Sequence, residues 1–450
     1  MDISTIMFYV KMWAIGILFY LNAVLCNTVN NFVYDSNPSV ALLQKYIQIN
    51  TTTYNNLDKA VTFWTNLAAA QGVEIKKYVY KPNMPVLVLK WPGTNQSLPG
   101  IMLNSHMDVV PASEQDGWLY PPFAGHITQE QDRKIYGRGT QDMKSVSIQY
   151  YEALKRLKEK KISLLRTVYM TLMPDEEVGA EAGMLSFLPS QEFKAMNVGF
   201  ELDEGGALNV PMIPVFVQDK VVWQIQVDCH GVAGHGSSFQ PTNATATGKC
   251  HNVVTNMFAF RDEQYPLFAS APSNDSSGYT SVNLNRVSGG TANNVVPNVV
   301  SLTFDIRPST KLNEDKLQQM LEEMVYSAGD NITITYISKN PQSPATMANS
   351  TNPFWNAIQS AATDLNITLV TAVPPGSTDA RHVRLAGVPA FGMAPQRNTP
   401  TLLHAVNEYL GVNTFLSGID FYEKVIKNMA SVPANLARNP SSYLYNTTIG

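Results

Sequence analysis

Cysteine is nearly absent: Cys26, Cys229 and Cys250 are the only three in 450 residues. Three thiols cannot build a cysteine metal cage, and nothing around them resembles a nucleophilic cysteine. Charge is sparse as well. Charged residues make up 15 % and the net charge is −4, which argues against nucleic acid or an anionic membrane as partner. The one basic cluster, "KRLKEKK" at Lys155–Lys161, falls where a helix should end, and cations suit the negative end of a helix. There is no short repeat and no low-complexity tract. Against these absences stands a hydrophobic content of 44 %, enough to bury a large core, in a chain long enough for two or three domains.

Only the N-terminus carries a long apolar run, from Met12 to Cys26, preceded by the single cation Lys11 and interrupted by Asn22. It is shorter than the ~20 residues that span a bilayer. Its length suits the apolar core of a secretory signal, with Val24 and Cys26 ahead of the cleavage site. An uncleaved signal anchor is the alternative. Sequons begin at Asn50, Asn95, Asn243, Asn274, Asn331, Asn349, Asn366 and Asn446, and they support secretion because the leader already points there. Cleavage after Cys26 leaves Cys229 and Cys250, an even count open to one disulfide.

From about Asn37 to Pro214 strands alternate with helices: "MPVLVLKW" and "GIMLNS", then the helix "MKSVSIQYYEALKRLKE", then "RTVYMTLMP" and "VGFELDEG" as strands. This predicts an α/β layer with a largely parallel sheet. After Val217 the order becomes β-α-β-β-α-β, from "VVWQIQVDCHG" through the helices "TATGKCHNVVTNMFAF" and "NEDKLQQMLEEMVYSA" to "NITITYIS". That is the ferredoxin-like order. The α/β pattern then resumes and closes with a helix near Val412–Ala430. The expected organisation is a leader over 1–26, an α/β domain in two parts over 27–216 and 340–450, and an inserted domain over 217–339.

Acidic and histidine residues gather at the predicted strand ends. "LNSHMDVVP" offers His106 and Asp108, which point the same way on an extended chain. "GRGTQDMKS" places Asp142 before a helix, where taken alone it reads as a cap. "TLMPDEEVGA" sets Glu176 beside Glu177, taken alone an exposed acidic turn; "ELDEGG" adds Asp203 and Glu204, and "LLHAVNEYL" adds His404. Ligand sites in open α/β sheets collect at the carboxyl ends of strands. Nitrogen and oxygen donors without sulfur suit zinc, and a pair of cations explains so many acids in one place.

The ordered set "SHMDVVPA", "GRGTQDMKS", "MPDEEVGAEAGM", "FELDEG", "GVAGHGSSF", "NNVVP", "FDIRP", "STDARHVRLAGVPAFGM" and "LLHAVNE" resembles the aminoacylase (N-acyl-L-amino-acid amidohydrolase) family of the zinc-dependent exopeptidases, from about Asn37 to Ala434. The resemblance implies a mixed, mostly parallel sheet flanked by helices, with the insertion as a lid and dimerisation domain. It implies two zinc ions per chain bridged by Asp142, one completed by His106 and Glu204 and the other by Glu177 and His404. It makes Asp108 the acid that orients His106, and Glu176 the base that takes a proton from the metal-activated water and returns it to the leaving amine. His235 would stabilise the oxyanion from the other subunit of a homodimer, with Asn294 as a further polar ligand. Arg307 and Arg381 would hold the substrate carboxylate. His126, His230, His251 and His382 match no motif and read as ordinary surface or core residues.

The chain departs from the aminoacylase pattern after His404, where "AVNEYL" is closer to the wider exopeptidase form, at Ala380, where a polar residue is usual, and in its leader. The expected function is secreted hydrolysis of N-acyl-L-amino acids, with no nucleic acid partner and no stable membrane partner once the signal is removed. A dipeptidase or carboxypeptidase on the same scaffold is the nearest alternative, and a non-catalytic secreted binding protein a more distant one.

Overall fold

The computed structural model describes residues 35–448 except 54, 56, 130, 273 and 438. The expected leader, Cys26 included, lies outside the described residues.

Eight strands form the main sheet, in the order Glu74–Lys81, Met84–Trp91, Val168–Met173, Gly100–His106, Val198–Asp203, Ala390–Met393, Met212–Phe216, Thr368–Ala372. Strand Gly100–His106 runs parallel to both its neighbours, as does Ala390–Met393 to Val198–Asp203 and Thr368–Ala372 to Met212–Phe216. The other three pairings are antiparallel. Alternation in "MPVLVLKW" sends Leu87, Leu89 and Trp91 into one apolar cluster and Val86 and Val88 into another. The sheet is therefore buried on both faces, as parallel strands covered by helices must be. Helix Lys144–Glu159 packs beside helix Val412–Ala430, with the rings of Tyr150 and Tyr422 4.5 Å apart.

A second, four-stranded antiparallel sheet has the order Ser281–Gly289, Val299–Arg307, Trp223–His230, Ile332–Lys339. Its helices are Ala246–Ser270 and Glu314–Tyr326, and it has an apolar core of its own around Trp223, Ile225, Val227 and Phe304. Cys229 and Cys250 lie side by side in that core as buried free thiols. The first of these helices runs ten residues past the Phe260 expected from the sequence, through Pro266. Tertiary contact overrides the proline, because the Phe268 ring packs edge-on against Tyr279 at 5.3 Å.

Candidate metal and active centre

The motifs of His106, of Glu176 and Glu177, and of Glu204 sit where main-sheet strands hand over to loops. His106 is the last residue of its strand, and Glu204 directly follows another. Glu176 and Glu177 open a single 3-10 turn after strand Val168–Met173. Asp142 precedes helix Lys144–Glu159 without capping it, since no side chain caps that helix start. His404 occupies a loop with a left-handed backbone, φ 61°. Two glycines let the backbone close up around Glu204. A Cβ on Gly205 would lie 2.3 Å from Ala394 N, and one on Gly392 2.3 Å from Glu204 O.

The two oxygens of Asp142 face different histidines. Oδ1 is 3.0 Å from His106 Nε2, and Oδ2 is 3.2 Å from His404 Nε2. Glu204 Oε2 is 3.5 Å from the same His106 nitrogen, and Glu177 Oε2 is 3.0 Å from that of His404. These form two groups, His106–Asp142–Glu204 and Asp142–Glu177–His404, each with its donor atoms within 4.8 Å of one another and with Asp142 in common. Glu177 Oε1 is buried without a hydrogen-bond partner among the described residues. An orphaned carboxylate oxygen in a sulfur-free set of imidazoles and acids fits a pair of hard or borderline divalent cations.

Electrostatics agree. Burial, with Asp142 close by, raises the Glu177 and Glu204 carboxyls. Burial raises Glu176 well above the usual carboxylate range, reinforced by Glu204. Burial alone would suppress the His106 charge, but contacts with Asp108, Asp142 and Glu204 outweigh it and lift this histidine well above its ordinary value. Hydrogen bonds to Asp142 and Glu177 push His404 up to about 10. Burial works against the Asp142 charge, yet the two histidines hold this carboxyl far below its normal range. The centre is short of positive charge and holds protons where cations would sit.

Asp108 faces His106 through both its main chain and its side chain: His106 Nδ1 is 2.8 Å from the backbone carbonyl of Asp108 and 3.5 Å from its carboxylate. The carboxylate also accepts the Glu176 N–H at 3.1 Å, the Glu177 N–H at 3.3 Å and the Thr53 hydroxyl at 3.0 Å. It fixes the loop that carries both glutamates.

Glu176, Glu177, Asp142, Glu204 and His404 line a cleft of ≈ 720 Å³. Its walls come from Leu208, Pro214 and Phe216 of the main-sheet unit, from Phe268 and Pro272 at the end of the long helix, and from Val373 and Pro374. His235 and Asn294 do not line it. They are exposed neighbours on a short ladder in which His235 pairs with Val295. Arg307 is half-buried and bonded to Asp305 at 2.8 Å. Arg381 is buried, which lowers its pKa, with Asp219, Asp379 and Glu176 around it. Among the remaining histidines His126 stacks on Tyr120 at 3.7 Å and His251 is exposed; none joins a candidate metal group among the described residues.

Sequence reasoning gave no role to Arg138 or Glu408, a buried pair at 2.7 Å beside Asp142. Both lie within recognisable motifs, but their pairing across the chain had no sequence signal.

The model of peptidase family M20/M25/M40 matches residues 102–428. The chain is 39 % identical over 399 residues to aminoacylase-1A of Rattus norvegicus, covering 88 % of this chain and 97 % of that protein. It is 38 % identical to human aminoacylase-1 over 401 residues, covering 89 % and 97 %. A metallo-carboxypeptidase of the M20 family from Sulfolobus solfataricus shares the fold with a TM-score of 0.69 at 16 % identity, over 88 % of this chain and 99 % of that one. A di-peptidase from Saccharomyces cerevisiae does so at 0.66 and 16 %, over 88 % and 96 %. The chain belongs to the aminoacylase family of zinc exopeptidases, within peptidase family M20/M25/M40.

Proposed function

We propose that the protein is a secreted, dizinc, homodimeric aminoacylase that hydrolyses N-acyl-L-amino acids to a carboxylate and a free L-amino acid. The observation that carries this reading is the split of Asp142 between two histidines, with Glu176 half-buried beside both groups. His106, Asp142 and Glu204 would hold one zinc, and Asp142, Glu177 and His404 the other. Bound there, zinc polarises an amide carbonyl and acidifies water. Glu176 would accept the proton from the attacking water and deliver it to the leaving nitrogen, a role suited to a carboxyl whose pKa is raised. Arg381 and Arg307 would receive the substrate carboxylate, and the apolar walls of the cleft would take the acyl group or the amino-acid side chain.

Secretion is supported by the apolar leader and by seven sequon asparagines that are exposed, with only Asn274 half-buried. No helix among the described residues is long and apolar enough to cross a membrane. Association through the four-stranded unit is supported by Phe239, fully exposed near His235 together with Val232 and Val295.

The test is metal analysis of pure protein alongside assays on N-acetyl-methionine and on a dipeptide. About two zinc ions per chain, chelator-sensitive activity and preference for the acyl amino acid are expected. Fewer than one divalent ion per chain in active protein would refute the metal reading, and turnover of the dipeptide alone would make the protein a dipeptidase.

A further inference from the structure

Asp142 and His404 belong to loops far apart in sequence, and a single buried carboxylate joins them. Glu408 Oε1 accepts the backbone N–H of Gln141 at 2.7 Å and that of Asp142 at 3.4 Å. Its Oε2 accepts Gly139 N–H at 3.2 Å and Arg138 Nη1 at 2.7 Å. The Arg138 guanidinium then donates to the carbonyls of His404 and Ala405, each at 3.2 Å. Gly137 N–H bonds to Glu408 O at 3.0 Å, so the two loops are also tied through the main chain. An isolated acid in this place would be a costly buried charge. With five donors turned on it, Glu408 organises the backbone on which Asp142 stands.

We propose that Arg138 and Glu408 are positioning residues for the metal ligands, a buried brace that fixes where His404 stands relative to Asp142. The proposal rests on reading the five ligands as a two-metal centre. The two members act unequally. Arg138 bonds directly to the His404 main chain and reaches Asp142 only through Glu408. Glu408 holds the Asp142 loop itself, which serves both groups. Residues that orient ligands commonly change metal affinity ~10–100-fold when replaced.

Stepwise zinc titration of metal-free, full-length protein, with circular dichroism to verify the fold, separates the two roles from general stability. Arg138→Lys keeps a cation beside Glu408 but loses the forked contact with the two carbonyls. It is expected to weaken one zinc step ~10–100-fold, the step that His404→Ala removes, and to leave the other within about twofold of wild type. Glu408→Gln is expected to weaken both steps. A folded Arg138→Lys protein with both steps at wild-type affinity, or both weakened alike, overturns the brace. Should Arg138→Lys fail to fold, Glu408→Gln carries the test, and wild-type affinity at both steps overturns it. Wild-type protein with fewer than two zinc steps refutes the two-metal reading and the brace together.

Discussion

Asp108 holds Glu176 by its backbone: its Oδ1 accepts the Glu176 N–H at 3.1 Å. The same carboxylate takes the Glu177 N–H at 3.3 Å. Adjacent like charges are thereby fixed on one turn, from which Glu177 reaches His404 Nε2 at 3.0 Å.

Glu176→Gln should keep both metals and cost ~10²–10⁴-fold in turnover, because the proton carrier is lost while the ligands stay. Glu177→Gln should instead weaken one metal. Paired metal analysis and kinetics on folded variants decide the matter, and equal metal loss in both would reverse the assignment.

His235 is exposed and does not line the cleft, so a part in catalysis calls for closure of the inserted unit or donation from a neighbouring subunit, and donation is the expected route. A donor at the developing oxyanion typically contributes ~10²–10³-fold to turnover. Mixing His235→Ala chains with Glu176→Gln chains should restore activity, each heterodimer regaining up to half that of the wild-type dimer. Demonstrated subunit exchange with no recovery would place His235 in its own chain's site or outside the reaction.

The apolar walls of the ≈ 720 Å³ cleft favour substrates with more carbon than N-acetylalanine. Each methylene buried there is worth ~0.8 kcal/mol, about fourfold in kcat/KM. Two series test this, one lengthening the acyl group and one enlarging the amino-acid side chain. A decline from the smallest member in both series would contradict the expectation.

His382 is mostly enclosed, and burial, with Arg381 next to it, pushes its pKa from 6.5 down to about 3. The unfolded chain then binds more protons than the folded one between those values. Stability rises with pH across that window and is lost as pH falls through it, by up to about 1.4 kcal/mol per unit. His382→Asn should flatten this dependence. Urea denaturation of both proteins at pH 7 and pH 5 reads it directly, and parallel losses would exclude His382 as a source of acid sensitivity.

Much of the fold was legible because periodicity is local. "MPVLVLKW" and the helix at Val412–Ala430 stand at their expected bounds, and the β-α-β-β-α-β series folds as one antiparallel sheet. The extension of helix Ala246–Ser270 past Phe260 was not legible, because local periodicity says nothing of a tertiary contact such as Phe268 on Tyr279. The candidate metal-binding set was legible through its motifs, and the structure gathers the other four residues around Asp142. The partners of Asp108 were not, since two of its three donors are backbone groups whose direction depends on how the Glu176 loop turns. The bond from Arg138 to Glu408 spans 270 residues, and nothing in either motif points to the other.

The five candidate metal-binding residues are strewn along the chain from His106 to His404, and this spacing bears on biosynthesis. A nascent chain emerging from the ribosome carries His106, Asp142, Glu177 and Glu204 well before the fifth ligand has been translated. The Arg138 guanidinium likewise waits for Glu408. Any product of premature termination upstream of position 404 can complete the group His106–Asp142–Glu204 but not the group Asp142–Glu177–His404, so the two candidate metal groups become complete in sequence, one before the other.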